Sequence, residues 1–166
     1  VMEGLIEASP LSRHFSYVQA VRDLSFHVEA GEIYGLVGPD GAGKTTTMRL
    51  LCGAYQPTVL PEADPTIVIC GFDLLKQTEQ ARSKIGYLSQ RFSLYQDLTV
   101  LENIRFFAEL RGLSAGEWLP SCMQILDFVG LSEYKDRLAG QLSGGRKQKL
   151  GLASALVTRP NVLLLD

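Results

Sequence analysis

No apolar run in the 166-residue chain approaches the roughly 20 residues that a helix needs to cross a bilayer, so any work at a membrane passes through a partner. The opening VMEGLIEASP lacks the charged-then-apolar layout of a secretory signal. Cysteine is scarce. Cys52, Cys70 and Cys122 are odd in number and far apart, no CxxC occurs, and neither His14 nor His27 has a Cys or His neighbour. These absences argue against a disulfide framework and a metal cluster, and fit a reducing cytosolic compartment. Neither sign of charge is in excess: 16 basic against 18 acidic residues give a formal charge of −2, so no global field favours nucleic acid and none is expected as a partner. The short basic run Arg146, Lys147 and Lys149 reads as a solvated helix face. Internal repeats and low-complexity segments are also lacking.

What remains is an ordinary globular composition, 46% hydrophobic and 20% charged, long enough for one domain with a core. Short β-like runs alternate with helical ones, which predicts an α/β fold. Candidate strands are Leu5 to Ala8, Leu24 to Val28, Ile33 to Val37, Ile67 to Cys70, Ile85 to Leu88 and Val162 to Leu165. The third and last are continuous apolar runs, expected to be buried on both faces of a largely parallel sheet. A helix is expected from Lys44, carrying Met48, Leu51 and Cys52 at helical spacing, and Pro57, Pro61 and Pro65 mark an irregular loop near residues 56–66. Beyond about Val100 helical periods dominate until Val162. The expected organisation is one partial domain, with a core over about 1–90 and 159–166 and a helical insertion over about 91–158.

Residues Gly38 to Thr45 read GPDGAGKT and match G-x-x-x-x-G-K-[ST]. A polyphosphate needs several donors converging on a small volume, and backbone N–H groups converge only where the chain wraps tightly. Gly41 and Gly43 permit that wrapping. The helix starting near Lys44 aims its N-terminal N–H groups at the same phosphates. Lys44 adds a mobile charge, and the Thr45 hydroxyl suits Mg²⁺. The flanking strand and helix patterns make a glycine-rich turn with an incidental lysine the weaker explanation. The candidate nucleotide contacts are Gly38, Asp40, Gly41, Ala42, Gly43, Lys44, Thr45 and Thr46, with the Asp40 carboxylate expected to point outward. The final NVLLLD is an apolar strand ending in Asp166, placed to hold Mg²⁺ through water. Alone that signal is weak, since many strands end in Asp.

Between these two elements stands Leu142-Ser143-Gly144-Gly145-Arg146-Lys147-Gln148. It resembles the ABC (ATP-binding cassette) signature, LSGGQ in its commonest form, and with the P-loop and NVLLLD it resembles ABC ATP-binding domains over essentially the whole chain. Physically it is a second anion site: Ser143 suits an N-cap, and Gly144 and Gly145 leave first-turn N–H groups uncovered.

The resemblance implies a P-loop core with a largely parallel sheet, N-terminal antiparallel strands and an inserted helical subdomain, incomplete at the C-terminus. It implies ATP and Mg²⁺ as cofactors. Thr45, Gln90 and Asp166 would serve the metal, Gln90 would also position water, and Ser143, Gly144 and Gly145 would meet the ATP of a second ABC domain. Phe15 occupies the place of the family's adenine-stacking aromatic; Tyr17 competes for it, as does simple core packing.

Partners implied are a second ABC domain and a transmembrane permease, at the cytoplasmic face of the inner membrane. GPDGAGKTT, SQRFSLYQDLTVLENI and LSGGRKQKLGLASALV look most like exporter subunits of the ABC-2 or drug-resistance kind. Rivals are a non-transport ABC ATPase of ribosomes or DNA, a P-loop phosphotransferase and a regulatory ATP-binding module. The family departs from this sequence at Asp40, where Asn or Ser is common, and in the longer PTVLPEADPT connection. The family's catalytic glutamate directly follows the strand aspartate, so a chain reading only to Asp166 is expected to bind nucleotide but hydrolyse it poorly. Beginning at Val1, ahead of Met2, is compatible with a partial sequence.

Overall fold

A computed structural model describes residues 5–61, 63–90 and 93–166. Arg91 and Phe92, part of the SQRFSLYQDLTVLENI stretch, lie outside the described residues. The chain divides into two compact units, one running to Ile85 and including Asp166, the other Gly86–Leu165.

The first unit is built on a hairpin. β1 (Ile6–Phe15) and β2 (Val18–Val28) pair antiparallel from Ile6↔Val28 to Phe15↔Val18, with irregularities between Ala8 and His14. Both strands are longer than the apolar runs predict, because hairpin pairing carries polar residues such as Arg13 and His14 along with the ladder. β3 (Thr66–Ile69) pairs antiparallel on the other edge of β1, and β4 (Phe72–Asp73) follows through a two-residue turn. Cys70 and Gly71 there both take positive φ, 49° and 80°, as a tight hairpin turn requires. The sheet order is β2-β1-β3-β4. Its buried side chains, among them Leu11, Ile67 and Ile69, join Leu50 and Leu51 of α1 (Lys44–Leu51) in the core of this unit. The short α2 (Thr78–Ser83) sends Arg82 to the end of α1, where Nη2 donates to Gly53 O at 2.8 Å and Nε to Cys52 O at 3.3 Å. The first of these lies just past the end of α1, and the second belongs to its C-cap, Cys52, whose carbonyl the helix end leaves without an intrahelical partner.

The strand expected at Ile33 to Val37 does not form. The segment has no ladder with any described strand, and Ile33 and Val37 are 99% and 97% exposed. β-like composition fixes no strand unless a neighbour accepts its backbone bonds.

In the second unit β5 (Ile85–Leu88, entering from the first unit's last residue) and β6 (Val162–Leu165) make the parallel pair, joined by a helical crossover. β6 departs from the expectation of burial on both faces: Val162 and Leu164 are buried, whereas Leu163 and Leu165 are 37% and 53% exposed. One flanking strand and one covered face leave every second residue open.

The crossover comprises α3 (Val100–Leu110), α4 (Ala115–Phe128) and α5 (Gly144–Leu156), packed around Val100, Ile104, Trp118, Leu126 and Leu150. Capping boxes start α3, through Thr99 and Glu102, and α4, through Ser114 and Glu117. Buried Asn103 fixes the approach to α3: Nδ2 donates to the carbonyls of Tyr95, Leu98 and Thr99, and Oδ1 accepts from Tyr95 N. The cysteines are unpaired, and burial pushes the Cys122 thiol up to about 11, which keeps it an inert apolar filler. Among the described residues no helix is long and apolar enough to cross a membrane.

Candidate nucleotide site

The loop Gly38–Gly43 turns directly into α1, and Gly43 is its N-cap at φ 92°. A Cβ on Gly43 would collide with the carbonyl oxygen of Ala20 in β2, so the loop is pressed against the sheet where only glycine fits. Gly41, at φ 80°, has open space around it. Buried Thr47 secures the cap, its N donating to Gly43 O at 2.8 Å and its Oγ1 to the same oxygen at 3.0 Å. The Lys44 ammonium folds back over the loop and donates to Gly38 O and Pro39 O, both at 2.7 Å. Asp40 is exposed.

The two expected metal residues of this unit meet. Thr45 Oγ1 donates to Asp166 Oδ1 at 2.7 Å, although 121 positions separate them. A hydroxyl and a carboxylate at one point form a hard-oxygen donor pair, the kind Mg²⁺ takes when it keeps several waters and substrate phosphates for its remaining positions. No cluster of three or more His, Cys, Asp or Glu occurs among the described residues. The donor set therefore fits an ion held jointly with a phosphate ligand better than a self-sufficient protein cage.

At the end of β1, Phe15 is half-buried and meets the Tyr55 ring edge-on, centroids 5.3 Å apart and planes at 70°. The Arg13 guanidinium lies over the Phe15 ring at 4.7 Å. Tyr17 projects fully into solvent from the hairpin turn.

Gln90 and Ser143–Gly145 belong to the other unit. Gln90 is exposed. Ser143 stands at the N-cap of α5 with extended backbone, φ −64° and ψ 159°, and its side chain makes no capping bond. Ser143, Gly144 and Gly145 are exposed, and Cβ atoms on either glycine would meet nothing within 4 Å, so the first turn of α5 is uncovered. Of the neighbouring basic residues, Arg146 departs from a simply solvated face: its Nη2 donates to Tyr134 Oη at 2.7 Å with its guanidinium 4.2 Å from that ring, whereas Lys147 Nζ donates to Gln96 Oε1 at 3.1 Å on the surface and Lys149 is exposed.

A family model for ABC transporters matches residues 21–166. The chain belongs to the ABC transporter family. It is 46% identical over 166 residues to the "Probable multidrug ABC transporter ATP-binding protein YbhF" of Escherichia coli (strain K12), covering 99% of this chain and 28% of that protein. It is 38% identical to the "Nod factor export ATP-binding protein I" of Paraburkholderia xenovorans (strain LB400), covering 99% and 52%. A solved structure described as "Structure of ATP binding subunit of ABC transporter" superposes with a TM-score of 0.84 at 29% identity, over 98% of this chain and 65% of that one. The ABC chain thus spans from about a quarter to about half the length of these curated relatives.

Sequence reasoning missed Arg13, Tyr55, Arg49, Tyr134 and Gln96. Only Arg13 carried a signal, its two-residue spacing from Phe15 on a strand. The others meet where a loop or turn folds back on a helix, six positions apart for Arg49 and Tyr55 and 51 for Gln96 and Lys147, with no periodic pattern to mark them.

Proposed function

We propose that this chain is the ATP-binding portion of an ABC exporter of the multidrug or ABC-2 kind, in which the full-length protein hydrolyses ATP to move a transmembrane permease. The observation that carries the reading is the Thr45–Asp166 bond, which joins the phosphate loop to the acidic strand end at one point. Support comes also from the open first turn of α5 at Ser143–Gly145. Multidrug and Nod factor export are named for the relatives above and supply the exporter part.

The chemistry follows from the residues. The Lys44 ammonium, resting on two neutral carbonyls, has stronger acceptors in phosphate oxygens, because charge-assisted bonds are roughly twice as strong as neutral ones. Backbone N–H groups of Gly41 to Thr46 and the positive end of α1 receive the β- and γ-phosphates. Thr45 and Asp166 would hold Mg²⁺, and the ion would supply neutralisation of charge on the phosphate oxygens. The Gln90 amide can donate and accept, which suits it to orient an attacking water. Phe15 offers a face to adenine. Ser143, Gly144 and Gly145 present N–H groups to the γ-phosphate held by a second ABC domain, so ATP glues two domains together and its hydrolysis frees them. A permease passes that motion across the cytoplasmic face of the membrane.

Sedimentation of the purified chain with MgATP, MgADP or no nucleotide tests the motor reading. MgATP should produce a dimer that MgADP does not. Gly144→Asp, which sets a carboxylate on the exposed turn, should bind ATP as a monomer. Nucleotide-independent association, or a G144D protein that still dimerises with ATP, contradicts the reading. For direction, cells overproducing the full transporter should lose a cargo compound faster than cells with Lys44→Ala; nucleotide-dependent accumulation would overturn export.

A further inference from the structure

Arg13 is a second stacking group on the ring that the nucleotide reading assigns to adenine. Its guanidinium carbon lies 4.7 Å from the Phe15 centroid and 5.4 Å from the Tyr55 centroid, so one cation serves two rings that also touch each other. Nη1 donates to Gln56 O at 2.8 Å, fixing the plane of the group. Nε is buried and has no hydrogen-bond partner, so ring electrons, not an acceptor atom, offset the burial of that donor. Tyr55 is tied in turn to the helix that follows the phosphate loop: Arg49 of α1 donates from Nη1 to Tyr55 Oη at 2.9 Å and sits 5.6 Å from its ring.

The same corner is bonded through its backbone. Thr58 N donates to Ser12 O at 2.7 Å, and His14 N donates to Thr58 Oγ1 at 3.1 Å. Arg13, through Gln56, and these neighbouring bonds together join the end of β1 to the segment after α1, with the Arg13 guanidinium against the Phe15 ring.

We infer that Arg13 is a positioning and specificity residue for base recognition, acting through Phe15; this rests on the nucleotide reading above. Two physical effects follow from a cation on one face of an aromatic ring. The cation draws π-electron density toward itself, so the opposite face becomes a better platform for an electron-rich purine. It also pins the ring, so the ring loses less freedom when a base stacks on it. The Tyr55–Arg49 contact holds this platform to α1, which keeps the base side and the phosphate side of a nucleoside triphosphate in fixed register.

Calorimetric titration of the intact chain with MgATP, MgCTP and inorganic tripolyphosphate separates the two sides. Arg13→Met, which keeps the aliphatic stem, should weaken MgATP binding by about three- to tenfold, the size of a partly desolvated cation–π contact. Its preference for ATP over CTP should shrink, while tripolyphosphate affinity stays within about twofold. Arg13→Lys, with charge but no plane, should fall between wild type and R13M. An R13M chain with unchanged ATP affinity and unchanged ATP/CTP preference overturns the inference. So does an equal loss for tripolyphosphate, which would make Arg13 a general support of the fold. A wild-type chain that binds none of the three probes overturns the nucleotide reading and this inference together, an outcome separate from loss of the Arg13 effect alone.

Discussion

At Gly43 the site depends on the absence of a single atom. Its φ of 92° is left-handed, and the position a Cβ would take is filled by the Ala20 carbonyl. For Gly43→Ala the left-handed backbone alone costs about 1–2 kcal/mol, and the collision adds to it. The loop must lift off β2 to relieve the contact, which disperses the N–H groups it gathers. MgATP affinity, measured by titration, should fall at least about tenfold, while far-UV circular dichroism of the helices stays near wild type. Gly41, which has space around it, should tolerate alanine better than Gly43 does; equal losses at the two positions would show that backbone handedness and not the Ala20 contact controls the loop.

Among the elements, α3 and α4 are started by carboxylates that act as acceptors. Glu102 is held below its ordinary value of about 4.5 first by the bond from the Thr99 backbone N, and Glu117 first by its bond from the Ser114 side chain. Because the folded values are depressed, these caps contribute fully above about pH 4.5 and are lost as pH falls through the lower folded values. Helix melting followed between pH 7 and 3 should show wild type losing stability below about 4.5. Glu102→Gln/Glu117→Gln should start less stable at neutral pH and lose less on acidification; parallel losses would place the acid sensitivity elsewhere.

Elements also show what the sequence could and could not disclose. β5 and β6 match the predicted strands to the residue, and α1 begins at the predicted Lys44, because apolar runs with glycine or charged borders are local signals. Ile33 to Val37 carried as strong a signal and forms no strand, since a strand is a relation to a neighbour and not a property of five residues. β4 and α2 were not foreseen: two residues of ladder and six of helix are too short for periodicity to register. The candidate phosphate-loop and signature residues could be named from the sequence because each set stands in a contiguous string. The Arg13–Phe15–Tyr55–Arg49 group was not, because it is assembled from a strand, a loop and a helix.

For the molecule as a whole, the decisive contact is between residues far apart in the chain. Ligands that bind the folded state raise its stability by mass action, about 2.7 kcal/mol at a hundredfold excess over the dissociation constant. Mg²⁺ should therefore add to the thermal stabilisation given by ATP in wild type. In Thr45→Val or Asp166→Asn that added increment should vanish while ATP without Mg²⁺ still shifts the melt; a retained Mg²⁺ increment in both variants would separate these residues from the metal. The 121 positions between Thr45 and Asp166 have a further effect during synthesis. At about 5–20 residues per second, a ribosome finishes Asp166 roughly 6 to 24 seconds after Thr45. Throughout that interval the Thr45 hydroxyl has no Asp166 carboxylate to meet, so the bond that ties the loop to the end of β6 is among the last contacts that synthesis of this stretch allows.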